Sequence, residues 1–280
     1  MDTRIVTPER IDAFAVFLRR EEKSASTVEK YLRDLRRLTD FAAGREVDKA
    51  LLLDFKSEMA ARYAVTGVNS MLASLNVFFR FMGWNDCAVK QFRVQKKAYC
   101  PEEKELSREE YLRLIRTAES EGNRRLSLTI QCLCATGIRI SELQFITVEA
   151  LKHGEAVVTC KGKTRTVFLV TPLRSKLLTY ADEQGITTGS VFVTRSGKPI
   201  DRSNVWREMK ELCLQANVLP EKVYPHNLRH LFARTFYGIE KDIAKLADIL
   251  GHSSINTTRI YIITTGAEHK RKMENMQLIP

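Results

Sequence analysis

Residues 224–261 read YPHNLRHLFARTFYGIEKDIAKLADILGHSSINTTRIY. Pro225 favours the first turn of a helix, and the apolar residues behind it predict helix from about His226 to Tyr237. A second helix is expected from Asp242 to Leu250, and a short third one from Ile255 to Ile262. Within this stretch fall His226, Arg229, His230, His252 and Tyr261. Arginine and histidine hold phosphates well, and a tyrosine hydroxyl can attack one. Each residue also has an ordinary reading. His226 fits a first helical turn, Arg229 and His230 a helix surface, His252 a turn after Gly251, and Tyr261 a half-buried core edge.

Upstream, residues 1–85 read as four helices. Thr7-Pro8 is an N-cap followed by proline, with Ile11, Phe14, Phe17 and Leu18 on one face. Ser26-Thr27-Val28-Glu29 has the form of a capping box and predicts a second helix, with Tyr31, Leu32, Leu35, Leu38 and Phe41 inward. Its other face carries Lys30, Arg33, Arg36 and Arg37, and Gly44 stops it nearby. Those four side chains suit a DNA backbone, or equally a solvated face. Asp48 caps a third helix, and a fourth runs from about Val68 to Met82, before Gly83.

Residues 89–104 lack a helical stripe and hold Lys90, Arg93, Lys96, Lys97 and Pro101, which predicts a basic linker. The domains expected are therefore 1–88, the linker 89–104, and 105–280. The second domain opens with a capping box at Ser107 and Glu110. A nearly all-apolar helix from Leu126 to Ala135 should be its buried centre, closing at Gly137, with Arg139 directly after. Ser141-Glu142-Leu143 begins the next helix. The period then changes: 156–160 and 166–170 are β-rich and flank Lys161-Gly162-Lys163-Thr164-Arg165, a hairpin. A third short strand is expected at 191–194, and helix again from Ser203 to Ala216.

Composition bounds the partners. Net charge is +11, from 45 Lys and Arg against 34 Asp and Glu, and the excess is spread over both halves. Two basic bodies can each face a polyanion. No apolar run approaches the ~18 residues that span a bilayer, and the N-terminus lacks the basic-then-apolar form of a secretory signal. A cytoplasmic protein with no membrane partner is expected. The six cysteines show no metal-finger spacing, and buried reduced thiols are the expected state. His226 and His230, four apart, have no third ligand in evidence, so no metal is expected.

The order Ala135-Thr-Gly-Ile-Arg-Ile-Ser-Glu-Leu143, then Lys161-Gly162, then His226-Asn-Leu-Arg-His230, then Leu250-Gly-His252, and finally Tyr261 resembles the tyrosine recombinase family of phage integrases and Xer-type enzymes. The resemblance covers essentially the whole chain. It implies a mainly α fold with a small antiparallel β-sheet: an N-terminal helical, SAM-like core-binding domain and an α+β catalytic domain, forming a C-shaped clamp around DNA. The activity implied is site-specific recombination through a 3′-phosphotyrosyl intermediate and a Holliday junction. Type IB topoisomerase-like relaxation and a non-cleaving architectural DNA-binding protein are the alternatives.

Roles follow from that resemblance. Arg139 and Arg229 would hold the scissile phosphate, and Lys161 would protonate the 5′ leaving group. His226 would assist proton transfer at the nucleophile, His252 would hydrogen-bond the phosphate, and Tyr261 would attack. Glu142 and His230 would support them. The family hairpin often reads Gly-Lys-Gly; Cys160 stands for the first glycine here, and Lys161 still precedes Gly162. Lys96, Lys97, Lys163 and Arg165 join the helix-face residues as DNA-contact candidates. No cofactor is implied. The partners implied are double-stranded DNA with paired half-sites and further copies of the chain. These would form a dimer per site and a tetramer in the synapse, through a tail at about Gly266 to Leu278. Accessory DNA-bending or directionality factors would complete the set.

Overall fold

The computed structural model describes residues 3–94, 104–160, 162–194, 196–262, 270–271 and 273–276, without the side chains of Cys160 and Lys163. Two compact units divide between Lys96 and Lys97, inside the expected linker.

The first unit is four helices. α1 spans Pro8–Arg20, with Thr7 as N-cap and Pro8 in the first turn. α2, Ala25–Ala42, begins slightly earlier than the capping-box reading, because Ser24 rather than Ser26 accepts from the Thr27 N–H. Ala43 and Gly44 close it in left-handed conformations. α3, Lys49–Arg62, is capped by Asp48, which accepts from Leu51 N at 2.8 Å. α4 runs Val65–Phe81 and ends before Gly83. Phe14, Leu18, Leu35, Leu52, Phe55, Leu72 and Phe78 are fully buried between them, each worth about 1.5–3 kcal/mol. One carboxylate lies in this core. Asp34 accepts from Ser74 Oγ and Lys30 Nζ, both at 2.7 Å, so its charge is paired. The segment after α4 stays on this unit: Val89 is buried, and Asn69 and Asn76 bond the backbone of Phe92 and Val89.

The second unit carries α5, Arg108–Ser120, with the reciprocal Ser107–Glu110 capping box in place. α6, Arg124–Thr136, is its buried centre: Leu126, Leu128, Ile130, Cys132 and Leu133 are all in the core. Gly137 ends it with φ +63°, and a Cβ there would fall 2.4 Å from the ring of Phe232. No other residue satisfies both demands. The following 140–145 is a 3₁₀ turn rather than the expected α-helix. α7, Val148–His153, precedes the sheet.

β1, Glu155–Cys160, and β2, Lys163–Phe168, pair antiparallel with Cys160 opposite Lys163. The sheet has two strands among the described residues. The third one expected at 191–194 is replaced by single bridges, Thr147 with Ser190 and Val193 with Pro199. Val191 and Phe192 are fully buried there, so burial accounts for their β-rich composition without a ladder. α8, Thr171–Glu183, was not anticipated; Leu173, Leu177, Tyr180 and Ala181 are its buried face. α9 is Arg202–Gln215, α10 Pro225–Glu240, α11 Ile243–Leu250 and α12 Ile255–Arg259, followed by a 3₁₀ turn over Ile260–Ile262. The chain is thus mainly helical with a small antiparallel sheet, as expected. Among the described residues no helix is long and apolar enough to cross a membrane.

Candidate active site

The left-handed Gly137 turns the chain out of α6 and leaves Arg139 extended at the head of the 140–145 turn. Glu142 then folds back. Its Oε2 accepts from Arg139 N at 2.8 Å, and its Oε1 from Arg139 Nη1 at 3.0 Å. Arg165 on β2 donates to the same carboxylate, Nη1 to Oε1 at 2.9 Å and Nη2 to Oε2 at 2.8 Å. Its Nε donates to Ile249 O at 3.1 Å. Glu142 is 1% exposed. Burial alone would raise its pKa, but the bonds from Arg165 and Arg139 outweigh this and hold it below the usual range. The placement corrects one expectation: Arg165 points inward and spends its guanidinium on the protein rather than offering it to DNA.

α10 supplies three residues. His226, Arg229 and His230 are three and four apart and therefore share a helix face. Arg229 is 1% exposed. Its Nη1 donates to Gly137 O, and its Nη2 to Leu250 O at 2.6 Å. These carbonyls lie at the C-terminal ends of α6 and α11, where partial negative charge accumulates. No carboxylate pairs with Arg229 among the described residues, and its buried Nε has no partner. Burial, then the charge of Arg139, pushes its pKa down to about 10.

Gly251 ends α11 with φ +66°, and His252 follows. Arg229 Nη2 stands 2.9 Å from His252 Nε2, and Thr258 Oγ1 2.9 Å from His252 Nδ1. Because a guanidinium can only donate, Nε2 must accept, which leaves the proton on Nδ1 to be donated to Thr258. Tyr261, on the closing 3₁₀ turn, is 5% exposed. Its ring stacks on His230 at 4.3 Å and covers Arg229, whose Cζ is 5.7 Å from the ring centre. Its hydroxyl reaches outward to His226 Nε2 at 3.1 Å. A mostly apolar groove of about 660 Å³, with Ile140, Trp206 and Tyr224 in its walls, opens beside His226.

Desolvation, then the charges of Arg229 and Arg139, lower His226, and His230 and His252 fall to about 4. Neutral imidazoles result, one of them poised to accept the tyrosine proton. The shifts carry a stability consequence. An unfolded histidine titrates near 6.5, so between about pH 4 and 6.5 the unfolded chain binds more protons than the folded one. Stability should therefore rise with pH across that window. His230→Gln should make the rise shallower in urea unfolding at several pH values. A profile parallel to wild type would show that His230 titrates normally in the folded protein.

The structure thus gathers Arg139, His226, Arg229, His252 and Tyr261, with Glu142 and His230 behind them. Lys161, Lys96 and Lys97 lie outside the described residues, as does most of the 266–278 tail, and the side chain of Lys163 is not described. Of the helix-face candidates, Arg33 and Arg36 are exposed. Lys30 is held by Asp34 and Ser70 O, and Arg37 lies over the Tyr63 ring and donates to Met71 Sδ. Two partners were missed, Thr258 and the inward Arg165. For Arg165 a signal existed: it sits two residues from Val167 and opposite Val158, both buried, on the inner face of the sheet.

The chain is similar to known proteins along its length. Residues 104–267 match the model of the phage integrase family, and residues 11–85 match the phage integrase N-terminal SAM-like domain. Tyrosine recombinase XerA of Pyrococcus furiosus is 28% identical, the alignment covering 100% of this chain and 98% of that one. Tyrosine recombinase XerD of Staphylococcus saprophyticus is also 28% identical, over 95% and 97% of the two chains. Among solved structures, XerH recombinase bound to its difH substrate is similar with a TM-score of 0.71 at 20% identity, covering 98% of this chain and 85% of that one. A lambda integrase tetramer bound to a Holliday junction gives 0.76 at 15% identity, over 93% and 78%. At these identities the two structures speak for the fold alone.

Proposed function

The chain belongs to the phage integrase family, and from that premise and the geometry around Tyr261 we propose how it acts on DNA. It is a tyrosine-type site-specific DNA recombinase, an enzyme that cleaves and rejoins DNA strands. The observation that carries the mechanism is the 3.1 Å approach of the Tyr261 hydroxyl to the neutral His226, in front of a buried guanidinium with no carboxylate partner among the described residues.

Tyr261 Oη attacks the scissile phosphorus and passes its proton to His226 Nε2. The bond from phosphorus to the 5′ oxygen breaks, leaving a 3′-phosphotyrosyl ester, and the departing oxygen takes a proton from Lys161. A 5′-hydroxyl from a second strand reverses the steps. One phosphodiester replaces another, so no nucleotide is consumed. Arg139 and Arg229 hold the non-bridging oxygens and stay charged throughout. Released from Arg229, His252 can carry its proton on Nε2 and donate it to the same phosphate, while Nδ1 accepts from the Thr258 hydroxyl. Because the Tyr261 ring covers Arg229 in the free protein, the ring must shift for one phosphate to touch both.

The assembly proposed is a dimer on paired half-sites and a tetramer in the synapse, with the 266–278 tail reaching a neighbouring copy. Residues 1–88 form the core-binding domain and 105–280 the catalytic domain. The test is a nicked suicide site, on which cleavage releases a short fragment and traps the covalent complex. A protein–DNA band in a denaturing gel is the expected result, and its absence at saturating DNA would overturn the reading.

Affinity should also depend steeply on salt. Each phosphate neutralised contributes about −0.9 to the slope of log K against log salt. Replacing the exposed Arg33 and Arg36 together should make the slope shallower by roughly one to two. An unchanged slope would remove this helix face from the DNA interface.

A further inference from the structure

Glu142 and Arg165 form the most tightly bonded charged cluster in the described part of the second unit, and the reaction scheme above leaves Arg165 without a part. Its three donating nitrogens all have partners: both Glu142 oxygens and Ile249 O. The Ile249 carbonyl lies in the last turn of α11, three residues before His252. Against the same guanidinium stands Gly251, where a Cβ would come within 2.8 Å of Arg165 Cδ and 3.2 Å of Nη1. Glu142, in turn, grips Arg139 by both backbone and side chain. One side chain therefore ties β2 to the turn bearing Arg139 and to the loop bearing His252.

We propose that Arg165 is a positioning residue for the phosphate clamp, fixing Arg139 through Glu142 and His252 through the α11 terminus. The proposal rests on the recombinase reading of the site. Geometry gives it content. A guanidinium bridges two carboxylate oxygens in a plane while its Nε reaches a third acceptor, and an ammonium cannot do so. With Arg165 gone, the Glu142 carboxylate is left with bonds from Arg139 alone and is free to pull that side chain toward itself. The Gly251–His252 loop loses the wall it packs on.

The test measures binding and single-turnover covalent-complex formation on the suicide site, with wild type, Arg165→Lys, Arg165→Gln and the Arg165→Gln/Glu142→Gln double variant. DNA affinity and its salt slope should stay near wild type. The rate at saturating DNA should fall roughly ten- to a hundredfold, as when an outer-shell partner of a site residue is removed. Lysine should not rescue it, and the double variant should lose little more than Arg165→Gln, because both act through one contact. The double variant also avoids leaving a buried carboxylate short of its partner, which guards against loss of fold.

A second substrate separates positioning from general damage. A methylphosphonate at the scissile position lacks the negative charge that the clamp must hold, so the defect should shrink severalfold on it. An equal defect on both substrates would overturn the proposal, and so would reduced affinity with a normal saturated rate, the mark of a direct phosphate contact. If wild type itself forms no covalent complex, the recombinase reading fails instead, and the two failures are distinct.

Discussion

Tyr261→Phe should bind DNA as wild type does and form no covalent complex at all. The substitution removes one oxygen atom. The ring keeps its stacking on His230 at 4.3 Å and its cover over Arg229. The lost hydroxyl bonds His226 and also interacts with Arg229, each bond worth about 0.5–1.5 kcal/mol, so the fold should survive. Chemically the loss is total, because no other atom of the side chain can form the ester. Gel shift and denaturing gel on one suicide site read both properties together. A covalent band surviving in Tyr261→Phe would mean that another residue attacks, and the whole assignment would go with it. His226→Ala supplies the graded comparison. It keeps the nucleophile and removes its proton acceptor, so the rate should fall by about 10²–10⁴ while the band remains detectable.

Much of this site is legible in the amino-acid sequence, for reasons that differ by residue. His226, Arg229 and His230 fall on one face of any helix that starts at Pro225, so local periodicity alone brings them together. Gly137 was legible as a left-handed helix end, and its neighbour Arg139 follows from it. Alternation with the buried Val167 points Arg165 to the inner face, but local pattern cannot name what it meets there. In a lysine-rich hairpin it reads as a surface cation, and its bonds to Glu142 and Ile249 O are tertiary facts. Thr258 bonds His252 across six residues through two successive turns, and nothing in its own neighbourhood announces that. The apolar residues 191–194 show the converse. They are core by burial and were read as strand by composition, because β-forming residues and buried loop residues are the same types. α8 escaped because its N-cap position is Val170, which offers no capping side chain, so Pro172 alone marked its start.

The second large effect is expected at Arg229, where stability and chemistry should separate. A buried cation without a counter-ion is costly to keep. Here the carbonyls of Gly137 and Leu250 partly offset that cost in the free protein. A phosphate would complete the compensation, so a buried guanidinium with no carboxylate partner among the described residues favours an anionic substrate. Arg229→Met removes the charge and keeps most of the volume. Two carbonyls then lose a donor, at about 1–3 kcal/mol each, while the unpaired charge no longer has to be buried, so the net change in stability should be small beside either term. The cleavage rate should fall by about 10³–10⁵, the range over which a charge-fixing arginine acts in phosphoryl transfer. Arg229→Lys restores the charge, but its single ammonium cannot serve Gly137 O, Leu250 O and a phosphate at once, so it should recover little of the rate. Thermal unfolding and single-turnover cleavage on the three proteins decide the matter. Lysine restoring near-wild-type cleavage would reduce Arg229 to a point charge. A methionine variant that unfolds while the lysine variant stays folded and cleaves would make it a structural cation.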